Sequence, residues 1–367
     1  MKWLNRLTVG FACLLPFGVV AESSLQLRDY WDYQDYLNFY PEQAKLTAEM
    51  ATRVYAEPKP ISAEQDKPIQ IDVVYPGAQL SDYWWRNLKA LELRLQELGV
   101  DYELNQFSMR PNLDHREESR SLQQVLKNES DYLIFTLDTS QHRKFAYRVL
   151  NEGKTKLILL NITTPIKSWE KQHPMMYVGF DHVIGTKMLA SHVQTQYPDS
   201  ADYGLMYYSP GYVSEVRGDT FVKKLKHQGG YELKRAYFTH ANRESAYKAT
   251  LSMFEREQEL DFIYACSTDI AFGVVDALQE LGKEQVVVNG WGGGDSELEA
   301  LKAGELDFTV MRMADDTGIA MAEAIKLDME DREVPRVYSG DFKLLTKQDS
   351  VERINQLQQR AFRYSDR

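Results

Sequence analysis

The chain has 367 residues, 43% of them hydrophobic, 26% charged and 12% aromatic, a globular composition that excludes an extended disordered or low-complexity protein. That length suggests two domains, each large enough to bury a core of its own. A formal net charge of −11 excludes a broad electrostatic hold on nucleic acid.

The N-terminus carries the first signal. Lys2 and Arg6 precede an apolar run from Leu7 to Val20, which closes on Ala21 before Glu22. A basic start, an apolar middle and a small residue at the cut describe a secretory signal peptide over residues 1–21. The run is short for a membrane span, so the mature chain is expected in the periplasm with no inserted segment. A buried N-terminal helix is the plainer alternative. Cleavage removes Lys2 and Arg6 and no acid, which deepens the negative charge. Of the two cysteines, Cys13 and Cys266, only Cys266 would remain, so no internal disulfide is expected. Cys13 is a poor lipid-attachment site because the apolar run continues through Leu14 and Leu15.

Residues 22–65 are polar, acidic and aromatic. Trp31, Tyr33, Tyr36, Leu37 and Tyr40 recur at roughly helical spacing, which predicts one or two short helices laid across a larger body. Pro58 and Pro60 break the chain before the main fold.

From Ile69 strand and helix alternate. "IQIDVVYP" (69–76) suits a buried parallel strand. Trp84, Leu88, Leu91, Leu95 and Leu98 then mark one helical face, with Ser81 or Asp82 to cap its start and Gly99 to close it. The pattern repeats through "YELNQF", a helix over 119–127, "YLIFTL", a helix over 142–150 and "KLILLN" (156–161). A second series runs "MMYVGF", "YGLMYY", "YELKRAYF", "DFIYACS", "QVVVNGW" and "DFTVMR", with helices between. This order predicts two α/β lobes, each a doubly wound parallel sheet with helices on both faces. Ligands of such sheets sit beyond the carboxyl ends of the strands. Two facing lobes would share one cleft there and close on it by a hinge.

Catalytic patterns are absent from the sequence. There is no Gly-x-Ser-x-Gly elbow, no Walker loop and no His-Glu-x-x-His, and the seven histidines are scattered. "GWGGGDS" (290–296) suggests a phosphate cradle only weakly and reads better as a tight strand-to-helix turn. Asp138, Asp269 and Asp315 are isolated acids with no spacing that marks a glycosidase pair. No enzyme activity, metal or cofactor is therefore expected.

The strand ends are richer. Gln79, Ser81 and Trp84 follow the first strand. Thr136, Asp138, Asn161, Ser209, Thr268, Asp269, Trp291 and Arg312 sit at later ends. As a set they form a donor and acceptor shell with Trp84 and Trp291 as flat walls. Taken singly, each is as well explained as a helix cap or loop contact, and Trp84 also begins its helix's apolar face. Arg217 opens a helix in "SEVRGDTF", a poor place for a cation in the helix dipole, with a surface pair to Glu215 or Asp219 as the plain reading. Arg312 directly follows a buried strand and needs a partner. Two guanidiniums aimed into one cleft favour an anion.

The strand–helix order, with "STDIAFGVVDAL", "GW" and "VMRMADDTG", resembles the pentose- and hexose-binding periplasmic proteins of type 1, whose core is shared with the LacI-type repressors, over about residues 68–345. Longer stretches, "VVYPGAQLSDYWWRN", "SDYLIFTLDTSQHRKF", "LNITTP", "YVGFDH", "VRGDTF", "DFIYACSTD", "NGWGGG", "VMRMADDTGIAMAEAIK" and "QRAFRYSD", are similar to the autoinducer-2 receptors of that family. The resemblance implies two doubly wound lobes joined by a multi-strand hinge. The first lobe would take residues 66–180 with about 313–338, and the second 181–312 with about 339–367. It implies a ligand, autoinducer-2 as a furanosyl borate diester carrying a negatively charged boron. Gln79, Ser81, Trp84, Thr136, Asn161, Arg217, Thr268, Trp291 and Arg312 would bind it. It also implies a partner, the periplasmic domain of a LuxQ-type hybrid sensor histidine kinase. Sugar-binding relatives commonly carry an Asp–Arg pair where this chain has Asn161 and Ile162, and an aspartate where it has Gly292. Losing two acids fits an anionic ligand, since carboxylates suit sugar hydroxyls and repel anions. Residues 22–65, absent from those relatives, would serve either as partner surface or as a packing arm. The alternatives are the sugar-binding component of an ABC importer and a repressor core, the latter disfavoured because a signal peptide and an acidic segment stand where a DNA-binding helix-turn-helix would be expected.

Overall fold

A computed structural model describes residues 27–77, 79–109, 115–256 and 259–367. The expected signal peptide, Cys13 and residues 22–26 lie outside the described residues.

The apolar strands behave as buried strands must. In the first sheet β1 (Ile69–Pro76), β2 (Tyr102–Met109), β3 (Tyr132–Thr136), β4 (Lys156–Leu160), β5 (Met176–Gly179) and β11 (Val337–Ser339) pair in the order β11-β5-β4-β3-β1-β2. All of its pairings are parallel. Alternate residues point to opposite faces. Ile71, Val73, Ile134, Ile158 and Leu160 enter one core cluster, while Val74, Leu133, Phe135, Leu157 and Leu159 enter another. Both faces of the inner strands are covered, which is why β3, β4 and β5 are apolar runs, whereas the edge strand β2 alternates and is largely exposed.

The second sheet is built from β6 (Ala201–Tyr207), β7 (Tyr231–Phe238), β8 (Phe262–Ala265), β9 (Val287–Gly292), β10 (Phe308–Arg312) and β12 (Phe342–Thr346), in the order β12-β10-β9-β8-β6-β7. This sheet too is parallel, as expected, except at its edge, where β12 runs antiparallel to β10. The chain enters β12 from β11 of the other lobe through Gly340 and Asp341, arriving at the carboxyl end of β10, where Phe342 pairs with Arg312, so β12 can only run back against β10. That step, together with Phe180–Asp181 and Met313–Ala314, makes three crossings between the lobes, the multi-strand hinge.

Helices fill the connections. The expected apolar helix is α3 (Tyr83–Glu97), with Leu88, Leu91 and Leu95 buried. Asp82 occupies its N-cap position but makes no side-chain cap bond. Its carboxylate instead takes Arg86 Nε at 2.5 Å and the amide of Asp295 at 3.2 Å. The helix Asp315–Met329, here α11, packs along α3 through a close crossing in which a Cβ at Gly318 would meet Asn87 O at 2.3 Å. The N-terminal arm forms α1 (Tyr33–Phe39) and α2 (Pro41–Tyr55). Thr47 of α2 donates to Val337 O of β11, and Tyr55 OH donates to Asp316 at 2.6 Å. The final helix, α12 (Val351–Ala361), lies on the second lobe, with Gln358 donating to Asp295 at 2.9 Å. The tail beyond it returns to the first lobe. Tyr364 and Ser365 amides donate to Asp315, and Ser365 Oγ accepts from Arg86. The expectation that residues up to 367 belong to the second lobe is corrected by these contacts.

Candidate functional site

The carboxyl ends of β1, β3, β4, β6, β8, β9 and β10 converge on a cleft between the lobes, as open α/β sheets require. The cleft encloses about 620 Å³, its open mouth included. Gln79, Ser81, Trp84, Thr136 and Asn161 reach it from the first lobe, and Arg217, Thr268, Trp291 and Arg312 from the second. Asp138 and Asp269 also line it, whereas Ser209 is buried outside the lining. Sequence reading passed over Pro76, Tyr83, His142, Tyr208, Val213 and Ser267, which complete the lining. Tyr208 and Ser267 stand at strand ends and carried the same signal as the rest. Tyr83, His142 and Val213 come from helical segments, and only the tertiary structure brings them in.

The lobes are closed on each other. Gln79 Nε2 donates to Tyr208 OH at 2.8 Å, the Leu80 amide to Asp269 at 3.0 Å and the Val213 amide to Asp138 at 3.1 Å. Thr164 and Tyr212 share a hydroxyl bond of 2.7 Å. Trp84 sits on the apolar face of α3, as its spacing predicts, and also lines the cleft. Its ring is buried against α3's core, and its Nε1 donates to Gln79 Oε1 at 2.8 Å. Gln79 is thereby held between the two lobes.

Arg217 is not the surface ion pair that its neighbours Glu215 and Asp219 suggested. The helical run 212–228 passes through a π-helical turn over Glu215–Asp219, and that extra residue per turn swings Arg217 inward, the kind of position where π turns concentrate. Glycine is needed at 218, where a Cβ would sit 2.0 Å from the Tyr207 ring. Tyr207 OH in turn donates to Asp219 at 2.7 Å. The Arg217 guanidinium stacks 3.6 Å from the Trp291 ring. It donates through Nη1 to Cys266 O at 2.8 Å and through Nη2 to His182 Nδ1 at 3.4 Å. Burial first, then the positive charge of Arg312, pulls its pKa down to about 10.

Arg312 ends β10 and lies 3.9 Å over the Tyr83 ring, with Phe180 and Trp291 each at 5.9 Å. It is 5% exposed, and burial lowers its pKa. Its place depends on Gly292. There φ is +141°, and a Cβ would fall 2.5 Å from Arg312 Nη2. The carboxylate behind this wall, Glu297, is already taken by the amides of Trp291 and Gly293 and by the Thr309 hydroxyl at 2.9, 2.8 and 2.5 Å. Among the described residues neither Arg217 nor Arg312 has a carboxylate ion-pair partner.

Polar atoms with no protein partner collect on the same walls. Thr136 Oγ1, Asn161 Oδ1, Ser267 Oγ, Arg217 Nε and Arg312 Nε are buried and unbonded. Native proteins leave few such groups unless a ligand or water meets them. Asn161 takes a left-handed conformation, φ +65°, which asparagine tolerates better than most residues. The closely apposed Gly179, whose Cβ would meet Asn161 Cα at 2.9 Å, leaves room for it. The two acids on the lining are engaged by the backbone amides given above, and burial raises the pKa of both. Among the described residues no cluster of His, Cys, Asp and Glu could hold a metal ion, and no helix is long and apolar enough to cross a membrane.

Two facing α/β lobes closed on a shared polar cleft are the architecture of solute-binding proteins. The chain belongs to the periplasmic binding protein domain family, whose profile matches residues 71–329. It is similar to the ribose import binding protein RbsB of Salmonella typhimurium, 21% identical over 204 residues that cover 55% of this chain and 67% of the relative. Among solved structures it is similar to an ABC transporter solute-binding protein of Bacillus halodurans with bound myo-inositol. That likeness has TM-score 0.67 at 18% identity and covers 80% of this chain and 98% of that one. It is also similar to a chain of the XylFII–LytSN complex, with TM-score 0.66 at 15% identity over 78% of this chain and all of that one. The shared fold is the type 1 arrangement of two parallel-sheet lobes, and these relatives are binding proteins, not enzymes. The family is described as one of periplasmic binding proteins.

Proposed function

We propose that this chain is a periplasmic receptor of the LuxP type, which closes on autoinducer-2 as its furanosyl borate diester and relays occupancy to the periplasmic domain of a LuxQ-type sensor kinase. The observation that carries the reading is the pair of buried guanidiniums, Arg217 and Arg312, facing one cleft, stacked on aromatic rings and, among the described residues, without a carboxylate ion-pair partner. A buried cation unpaired inside the protein is strongly disfavoured. An anion that brings its own charge satisfies both guanidiniums through charge-assisted bonds. Ring hydroxyls then meet Asn161 Oδ1, Thr136 Oγ1 and Ser267 Oγ, while Trp84 and Trp291 face the ring. The boron needs no covalent bond to the protein. A ligand that bridges residues of both lobes binds the closed form better than the open one, which is the differential affinity that signalling requires. XylFII, a protein of the same fold, occurs in complex with LytSN, so this fold accepts protein partners as well as solutes.

The second reading is the sugar-binding component of an importer. It is favoured by the relatives' names, ribose import and myo-inositol binding, and by Asp138 and Asp269 on the lining. Each of those carboxylates already accepts a backbone amide across the cleft, which leaves less capacity for sugar hydroxyls. Calorimetric titration with autoinducer-2, with and without borate, and with D-ribose decides between the two. Tight binding that requires borate is expected. Preference for ribose, or indifference to borate, overturns the receptor reading in this form.

A further inference from the structure

His182 lines neither the cleft nor the surface, yet it touches binding groups of both lobes. It opens α6 (His182–Gln196), immediately after the first crossing between lobes, and it is 1% exposed. Its Nε2 lies 3.1 Å from Asn161 O on the first lobe, and its Nδ1 lies 3.4 Å from Arg217 Nη2 on the second. A carbonyl can only accept and a guanidinium can only donate. The two contacts therefore fix one neutral tautomer, with the proton on Nε2 and the lone pair on Nδ1 turned to Arg217. The Trp291 ring, edge-on at 5.3 Å, holds the imidazole from the side. Burial, followed by the charges of Arg217 and Arg312, keeps the ring's pKa well below the ordinary histidine range, so the acceptor persists at any pH near neutrality.

We infer that His182 is a positioning residue that sets Arg217 for an anionic ligand, through an Nδ1 lone pair held in place by the Nε2–H bond to Asn161 O. Arg217 has five N–H groups. The bond to Cys266 O and the bond to His182 take one from each Nη, and Nε of this cleft-lining arginine has no protein partner. An arginine freed on the His182 side would rotate away from the bidentate geometry that distinguishes it from a lysine. The inference rests on the receptor reading only for its choice of probe.

Two variants separate the two ring nitrogens. In His182→Asn the amide oxygen stands near the place of Nδ1 and can still accept from Arg217. In His182→Gln the amide reaches the place of Nε2 and abandons Arg217. Binding of autoinducer-2 with borate is measured by calorimetry on the full mature chain. His182→Gln is expected to weaken it by about tenfold or more, the loss ordinary for a hydrogen bond to a charged group, and His182→Asn to stay within about threefold of the parent. Thermal melting checks that both variants fold. Equal affinities for the two folded variants overturn the inference. A ligand-independent measurement accompanies this one. Nitrogen-15 spectra of the parent are expected to show His182 as the Nε2–H tautomer, and His182→Gln to shift the Arg217 side-chain resonances more than those of Arg312. An Nδ1–H tautomer, or an Arg217 signal indifferent to both variants, overturns the positioning role even if borated autoinducer-2 proves not to bind. Failure of the parent to bind with normal spectra overturns only the receptor reading.

Discussion

Among the described residues four arginines are buried, in two regions that treat them in opposite ways. On α3, Arg86 and Arg94 are each 1% exposed and surrounded by acids. Arg86 meets Asp82, Asp295 and Asp366 at 2.5, 2.5 and 2.7 Å. Arg94 meets Glu323 at 2.6 Å and donates to Tyr364 OH at 2.7 Å and to the carbonyls of Arg53 and Ala56. In the cleft, Arg217 and Arg312 are 5% exposed and meet aromatic faces, carbonyls and a neutral histidine instead. The first pair is neutralised within the chain and ties the N-terminal arm, α11 and the C-terminal tail to one helix. The second pair is left for something outside the chain to neutralise. Burial alone does not separate a structural arginine from a binding one, and the chemistry of the partners does.

Breaking the structural pair should cost the fold. Arg94→Ala leaves Glu323, 3% exposed, without its cation, a change that costs about 3–5 kcal/mol. A lower urea midpoint, with ligand affinity retained by the fraction that stays folded, is the expected outcome. An unchanged midpoint would mean that the acids around Arg94 contribute nothing net.

Breaking the binding pair should do the reverse. Arg217→Met or Arg312→Met is expected to weaken borated autoinducer-2 by about 2–5 kcal/mol, the cost of truncating one partner of a buried charged pair. The melting temperature of the free protein should hold or rise, because an unpaired cation has been exchanged for an apolar side chain. Calorimetry and thermal melting on the same preparations read both quantities.

Gly292→Asp sharpens the contrast by turning one region into the other. It supplies Arg312 with an internal carboxylate at a position where φ is +141° and a Cβ falls 2.5 Å from the guanidinium. Backbone strain of about 1–3 kcal/mol and displacement of Arg312 are both expected. Binding should move away from the borated anion and toward neutral sugars such as ribose, measured as a ratio of the two dissociation constants.

The smallest effect concerns pH and the turn that carries Arg217. Burial first, then Asp219 and Asp138, raises the Glu215 carboxyl from its ordinary 4.5 to about 7. Between those values the native chain holds a proton that the unfolded chain has lost. The stability this group contributes is thus complete below 4.5 and lost as pH rises through about 7. Glu215→Gln should match the parent at low pH and exceed it above neutrality, with the gap opening across that window in urea midpoints taken at successive pH values. A gap independent of pH would place Glu215 in water.

Much of the scaffold is legible in the residues taken in order. The alternation of short β-rich runs with helical faces specifies two doubly wound lobes, because a strand buried on both sides must be apolar throughout. Residues such as Thr136, Asn161, Trp291 and Arg312 announce the cleft because a parallel sheet presents its strand ends to one place. What lies off the strand ends is not announced. The inward swing of Arg217 depends on a π turn braced by Gly218 and Tyr207, and a one-residue change of helical pitch leaves no periodic trace. The pairing of Arg86 with acids 209 and 280 positions away along the chain, and the return of the tail to the first lobe, come from contacts between distant segments. Local sequence thus determined the two lobes, the location of their shared cleft and the presence of Arg312 at its edge. Only the tertiary structure decided which buried arginines are matched by acids and which are not, because that depends on which carboxylates the folded chain brings within a few ångströms.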